Sequence, residues 1–306
     1  MPTTPPPPKP PWRRRARAAA IILSLVAISV GLWFYITDAP YRKTAVPQPR
    51  TIPNPTNDIT FLAWSDQHVT RDGNAAHLTP AIDAMNAIAG TPYPPSVGGS
   101  VSPPSFVIGS GDCTDWSTRS ATNAFANATL RLRYISYDAI GNHDEGDDPS
   151  SSRLAKWISA PHGSTSYTFD AGPLRFIVLF SPDNAQQFIS RDAMDYLRHQ
   201  LTLAPTRPTV VVAHYCLDAI RNKNEFADCL DTGQVLLVLG GHYHYAVAST
   251  YRSHQFLQVP SPADRPQFIV LRLTPDRLQA LTYDYARHQW LDTPRTRIDL
   301  RLSSQP

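Results

Sequence analysis

Positive charge is missing where a nucleic-acid-binding domain would need it. The 306-residue chain has a formal net charge of +3, but five positive charges (Lys9, Arg13, Arg14, Arg15, Arg17) precede the first acidic residue, Asp38. Residues 38–306 therefore carry −2, which leaves no nucleic-acid footprint. Cysteine is nearly absent: only Cys113, Cys216 and Cys229 occur. Cys216 and Cys229 either pair as a disulfide or remain buried thiols, two outcomes that sequence does not separate. No internal repeat is visible. Charged residues amount to 17% and apolar residues to 42%, so most of the chain should fold around a core. Its length suits one large domain or two small ones.

The N-terminus divides into three parts. Residues 1–17 are rich in Pro and Arg. Residues 18–37, "AAAIILSLVAISVGLWFYIT", carry no charge and match the roughly 20 apolar residues that cross a bilayer. Trp33 and Tyr35 suit the interface, and the preceding Arg cluster should stay cytoplasmic, placing residues 38–306 outside. The rival reading is a signal peptide cleaved after Ala39, which Pro40 would hinder. An uncleaved single-pass cell-membrane anchor is therefore expected. Residues 38–57 contain five prolines and read as a semi-rigid stalk. The folded domain is expected over 58–306.

Within it, short apolar runs alternate with helical patterns. "ITFLAW" (59–64), "SFVIGS" (105–110) and "YISYDAI" (134–140) read as strands. Between them, Thr79-Pro80 resembles a helix start, and Ala121, Phe125, Ala128 and Leu132 keep helical spacing. "YTFD" and "LRFIVLF" read as a hairpin around Gly172. Ser190 could cap a helix carrying Met194, Leu197 and Leu201. "TVVVA" (209–213), "VLLVLG" (235–240), "FIVLRL" (268–273) and "LQALTYDY" (278–285) complete the strand set. This order argues for an α/β domain with a mixed sheet. The Pro/Gly/Ser stretch 91–104 should lie at the strand amino ends, as a surface insertion.

The polar residues that follow the apolar runs carry the chemistry: Asp66-Gln67-His68, Asp112, Asn142-His143-Asp144, His214, and His242-Tyr243-His244. Ligands of open α/β sheets bind outside the carboxyl ends of the strands, so all five sets should share one end of one sheet. On an extended segment His242 and His244 would point the same way. Imidazole, carboxylate and amide donors without thiolate suit Mn, Fe or Zn. Asp66, His68, Asp112, Asn142, His214, His242 and His244 offer too many donors for one tetrahedral ion, but enough for two ions sharing a carboxylate. Gly141 is expected to bend the chain sharply off its strand.

In this order, Asp66-x-His68, Gly111-Asp112, Gly141-Asn142-His143-Asp144, His214 and Gly241-His242-x-His244 resemble the motifs of calcineurin-like metallophosphoesterases. The resemblance spans about residues 58–246. It implies two mixed β-sheets packed as a sandwich flanked by helices. It places one metal on Asp66, His68, Asp112 and His244. The other falls on Asp112, Asn142, His214 and His242, with Asp112 bridging. His143 would touch the phosphoryl group or protonate the leaving group, and Asp144 would orient it. The implied reaction is in-line attack on a phosphate ester by a metal-bridging hydroxide. Val69 stands where the Ser/Thr phosphatase branch has Gly, and Asp115 where purple acid phosphatases have Tyr. "GDCTD" resembles the phosphodiesterase-like branch. A diester substrate, small or linked to lipid or cell envelope, is therefore expected. A monoesterase and a non-catalytic phosphate- or partner-binding ectodomain are the alternatives. The His-x-His-x-Asp-His motif of metallo-β-lactamases is absent. Trp116, His162, Tyr215, Arg221 and Lys223 are rim candidates, whereas His77, His199, His254 and His288 match no motif.

Overall fold

The computed structural model describes residues 58–146, 152–181 and 187–302. The apolar stretch 18–37 and the stalk lie outside these residues, and so does the expected anchor. Among the described residues no helix is long and apolar enough to cross a membrane.

Two mixed sheets form the body. The first takes β1 (Ile59–Trp64), β2 (Phe106–Gly109), β3 (Ile135–Asp138), β10 (Gln267–Leu273), β11 (Arg277–Asp284), β12 (Gln289–Leu291) and β13 (Arg297–Arg301). Its order is β12-β11-β10-β1-β2-β3, with β13 also on β11. The second takes β4 (Tyr167–Ala171), β5 (Leu174–Val178), β6 (Thr209–Tyr215), β7 (Val235–Gly241), β8 (Val247–Tyr251) and β9 (His254–Gln258), in the order β4-β5-β6-β7-β9-β8. The strands β1, β2 and β3 run parallel, as do β5, β6 and β7. Parallel neighbours need crossovers, and α1 (Leu78–Ala87), α2 (Arg119–Thr129), α4 (Arg191–Leu203) and α5 (Lys223–Leu230) supply them. A shorter helix, α3 (Arg153–Ser159), precedes β4.

Aromatic rings lock the sheets face to face. Phe61 and Phe106 of the first sheet each meet Phe176 of the second, edge to face with centroids 5.3 Å apart. Phe169 stacks on Phe176 at 4.7 Å. The outer face of the second sheet is covered by Ala193, Leu197 and Leu201 of α4 and Phe226 and Leu230 of α5, which pack with Ile177, Val211 and Val238. Ser190 caps α4 as its sequence suggests, accepting from the Ala193 amide at 3.2 Å.

Several boundaries differ from expectation. α1 starts at Leu78, so Pro80 is its third residue and His77 is the cap. The first-turn amides have no helical partner, so Pro is tolerated there, and burial of Leu78 draws the helix upstream. α2 ends at Thr129, which leaves Leu132 in the following turn. β3 covers only 135–138 of the apolar run. Cys113, Cys216 and Cys229 are free and buried. The 91–104 insertion packs near the start of β1, where Trp290 Nε1 donates to Pro92 O at 2.8 Å and Arg272, the Thr60 partner, sits over the Tyr93 ring.

Phe176→Ala should lower unfolding stability by about 3–5 kcal/mol, the usual cost of an emptied aromatic core position. Urea denaturation checks this, and a loss under 1 kcal/mol would mean that the ring does not hold the sheets together.

Candidate dinuclear metal site

The candidate ligands gather at one rim, but they come from two sheets. Asp66, Asp112 and Asn142 follow β1, β2 and β3, while His214 lies inside β6 and His242 directly follows β7. The expectation of a single sheet is thus corrected: face-to-face packing brings the carboxyl ends of two parallel sets to a common edge. Backbone bonds knit the loops together. Asp66 N donates to Gly111 O at 2.9 Å and His68 N to Asp112 O at 3.0 Å. His242 N donates to the Asp66 carboxylate, 3.0 Å from Oδ2, joining the two sheets.

The loops are conformationally strained where the ligands sit. Asp66 (φ 51°), His68 (45°), Asp112 (53°), His242 (78°) and His244 (64°) all occupy the left-handed region, which non-glycine residues rarely adopt. His242 and His244 therefore reach the rim by turning, not by the strand alternation expected, and each joins a different donor group. Such strain persists only where the surroundings over-determine it, and it concentrates at functional sites. Gly141 also differs from expectation: its φ is not left-handed, and its role is space. A Cβ there would lie 2.2 Å from Asp112 Oδ1. The left-handed glycine is Gly111, at φ 98°.

Two groups of donor atoms result. Asp66, His68 and His244 form one, and Asp112, His214 and His242 the other, each with ligand atoms within 4.8 Å of one another. Asn142 joins the second through Oδ1, 3.0 Å from His214 Nε2. Asp112 Oδ2 lies 3.1 Å from His214 Nε2 and 3.9 Å from His68 Nε2. One carboxylate thus reaches both groups.

The chemistry of these atoms fits cations. His244 Nδ1 faces Asp264 Oδ2 in a short contact, and His68 Nδ1 lies 2.9 Å from Asp115 Oδ1, an ion-pair distance off the line of a hydrogen bond. Carboxylates there favour a proton on each Nδ1. Both Nε2 lone pairs then face each other at 3.1 Å, a repulsion that a cation removes. His214 Nδ1 donates to Ser110 O at 3.0 Å, so its Nε2 faces the oxygens of Asp112 and Asn142 and holds a proton between them until a cation takes that place. That congestion calls for positive charge. Burial would push His214 down, but Asp112 outweighs it and raises it to about 9. Burial would push Asp112 up, but His214 holds it at about 2. Burial lifts Asp66 to about 6, lowers His68, and takes His242, with His214 beside it, to about 4.

The residue next to the ligands also differs from its expected role. Asp144 does not reach the His143 ring. It is fully buried and accepts from Gly141 N (3.0 Å), Cys113 N (3.1 Å), Thr114 N (2.8 Å) and Thr114 Oγ1 (2.9 Å). Four donors converge on its two oxygens, so it pins the β3 loop to the β2 loop. His143 is held instead by its amide, 2.9 Å from Asp112 Oδ1, and by Nδ1, 3.2 Å from Asp115 O.

Sequence reasoning missed Asp264, Gln187 and the function of His77. Asp264 lies 20 residues beyond His244, Gln187 Nε2 stands 3.0 Å from His242 Nε2, and His77 Nε2 contacts Gln67 O at 2.6 Å, between two ligands. None carries a motif, since each acts through tertiary contact. Among the rim candidates, Tyr215 is buried against His242, with ring centroids 5.0 Å apart. His162 stacks on Tyr167 at 3.7 Å and Lys223 lies over Tyr251, so neither joins the ligand groups. Arg221 donates its amide to Gln187 O at 3.0 Å. Trp116 follows Asp115 at the rim. His254, which carries no motif, is buried and paired with Asp231 at 2.8 Å.

No family model matches the chain. A probable cyclic nucleotide phosphodiesterase of Rhodococcus erythropolis (strain PR4 / NBRC 100887) is 25% identical over 218 residues, 65% of this chain and 68% of that protein. GAP50, the anchor in the inner membrane complex of Plasmodium, shares the fold, with a TM-score of 0.56 at 13% identity over 81% of this chain and 91% of its own. An archaeal phosphodiesterase aligns with a TM-score of 0.38 at 13% identity, over 80% of this chain and 100% of its own. That score is too low to carry weight.

Asp264→Asn should weaken Mn²⁺ binding about 10–100-fold, as losses of a carboxylate behind a ligating His do. Calorimetric titration reads this directly, and unchanged affinity would show that the contact is incidental. Binding should also release protons, because Asp66 and His214 ligate only when deprotonated. With pKa values of about 6 and about 9, affinity should fall as pH is lowered from 9 towards 6. Titrations across that range check the sign.

Proposed function

We propose that this chain is a metal-dependent phosphoric ester hydrolase that cleaves phosphodiesters at a dinuclear centre. The observation that carries this reading is Asp112, a buried carboxylate shared by two donor groups with His143 held above it. Two bound ions would supply Lewis acidity and lower the pKa of a bound water. Asp66, His68, Asp112 and His244 would hold one ion, and Asp112, Asn142, His214 and His242 the other; Mn, Fe and Zn all suit the donors.

The chain's own groups account for the rest of the reaction. Asp112 Oδ1 takes the His143 amide at 2.9 Å, so ligand and acid are positioned by one residue. Asp115 O at His143 Nδ1 keeps that nitrogen protonated. A second proton, on Nε2, makes the ring a donor to the leaving oxygen. Asp144 serves this indirectly, by holding the backbone of the 141–145 loop. The diester preference is supported by "GDCTD" and by the similarity to a probable cyclic nucleotide phosphodiesterase. The uncharged segment 18–37 behind its Arg cluster supports an anchored domain outside the cytoplasm.

Hydrolysis of bis(p-nitrophenyl) phosphate with added Mn²⁺ tests the reading. Metal-dependent turnover exceeding that of p-nitrophenyl phosphate is expected, and no turnover of either would refute the hydrolase. His143→Ala should retain both ions and lose about 10²–10⁴-fold in rate on an alkyl leaving group, less on p-nitrophenolate, which leaves without a proton. Full activity on the alkyl ester would remove the acid role. For topology, protease treatment of intact cells should release the domain, and protection would reverse the orientation.

A further inference from the structure

One cation at the rim has no role in the site just described. Arg71 is exposed and sits on the β1 loop, three residues after His68. Its guanidinium carbon lies 4.5 Å from the centroid of the Trp116 ring. Among the described residues no carboxylate pairs with it. Two acidic residues of the same loops are engaged elsewhere: Asp72 accepts from Thr70 Oγ1 and the Asn74 amide, and Asp115 faces His68.

Arg71 is held by its backbone and by its guanidinium. Its carbonyl accepts from Thr118 Oγ1 at 2.7 Å, and Thr118 caps α2. The turn that contains Arg71 is closed by Gly73 N donating to Thr70 O at 2.8 Å. At the other end the indole face carries the guanidinium, leaving its N–H edges for a ligand. Trp116 itself is wedged between loops: it follows Asp115, whose carbonyl faces His143, and its Nε1 is 3.8 Å from where a Cβ on Gly146 would stand. The α2 N-terminus beside it adds a positive field. A stacked guanidinium with no carboxylate partner among the described residues is preorganised for a planar fork contact with a phosphate or carboxylate.

We propose that Arg71 on Trp116 forms a subsite for a second anionic group of the substrate, so that the enzyme favours phosphodiesters bearing an additional phosphate. The inference rests on the hydrolase reading and narrows its substrate class.

The test uses a matched pair on the Mn²⁺-loaded full-length protein: thymidine 5′-(p-nitrophenyl phosphate) and its 3′-phosphorylated form. The 3′-phosphorylated substrate should have about tenfold higher kcat/KM, the order expected of a charge-assisted bidentate contact. Arg71→Ala should abolish that preference through KM, Arg71→Lys should keep part of it, and Trp116→Leu should weaken it by freeing the guanidinium. No preference in the wild type, or a preference that survives Arg71→Ala, overturns the subsite. Equal loss on both substrates also overturns it, by placing Arg71 on the scissile phosphate. Calorimetry with thymidine 3′,5′-bisphosphate against thymidine 5′-monophosphate reads the subsite without turnover. An Arg71-dependent binding preference without hydrolysis would uphold the subsite and refute the hydrolase instead.

Discussion

Asp112 Oδ2 stands 3.1 Å from one imidazole nitrogen and 3.9 Å from another, inside a fold that leaves the residue 1% exposed. Around it the Nε2 atoms of His68 and His244 and the oxygens of Asp66 and Asn142 converge, with the His214 proton the one positive charge among them. Such crowding of acceptors is costly in a low-dielectric interior unless positive charge enters. The left-handed backbone at five ligands, the glycine contacts and the carboxylates behind His68 and His244 all hold that crowding in place. The rim is therefore a preorganised cation site, built at the expense of local backbone comfort.

The same constraint explains why two sheets are needed. One parallel sheet delivers ligands along a line, at the ends of β1, β2 and β3. A second set, from β6 and β7, faces that line across the aromatic contact of Phe61, Phe106 and Phe176. Asp66 is the hinge of this arrangement, since its carboxylate accepts the His242 amide from the opposite sheet. Stability and ligand placement thus share one interface, and a loosened core should also loosen the centre.

Around the centre, charge is distributed with purpose. The acidic groups Asp115 and Asp264 stand behind imidazoles, where they orient the rings. Asp144, fully buried, accepts from three backbone amides and the Thr114 hydroxyl. Arg71 is a cation left to solvent and stacked on an indole. Arginines such as Arg272 and Arg277 instead pair with carboxylates, Asp58 and Asp299.

Local chemistry made much of this readable in advance. Apolar runs ending in Asp, Asn or His placed the ligands at strand ends, because a buried strand must emerge into a polar loop. Ser190, at the head of a helical stripe, identified its own cap for the same kind of local reason. The division of the seven ligands into two groups sharing Asp112 came through a family resemblance, and the donor geometry agrees with it. Other features depended on contacts between distant segments. The sequence neighbours His143 and Asp144 suggest a pair, yet the fold turns Asp144 inward to four donors and gives His143 to Asp115. Asp264 and Gln187 reach their histidines only through tertiary approach, and no spacing announces them. Hydrophobic pattern and strand-end residues are local properties, so sequence alone determined the inventory of candidate ligands. Which second ring nitrogen meets which carboxylate depends on how two sheets pack, and only the tertiary structure decided that.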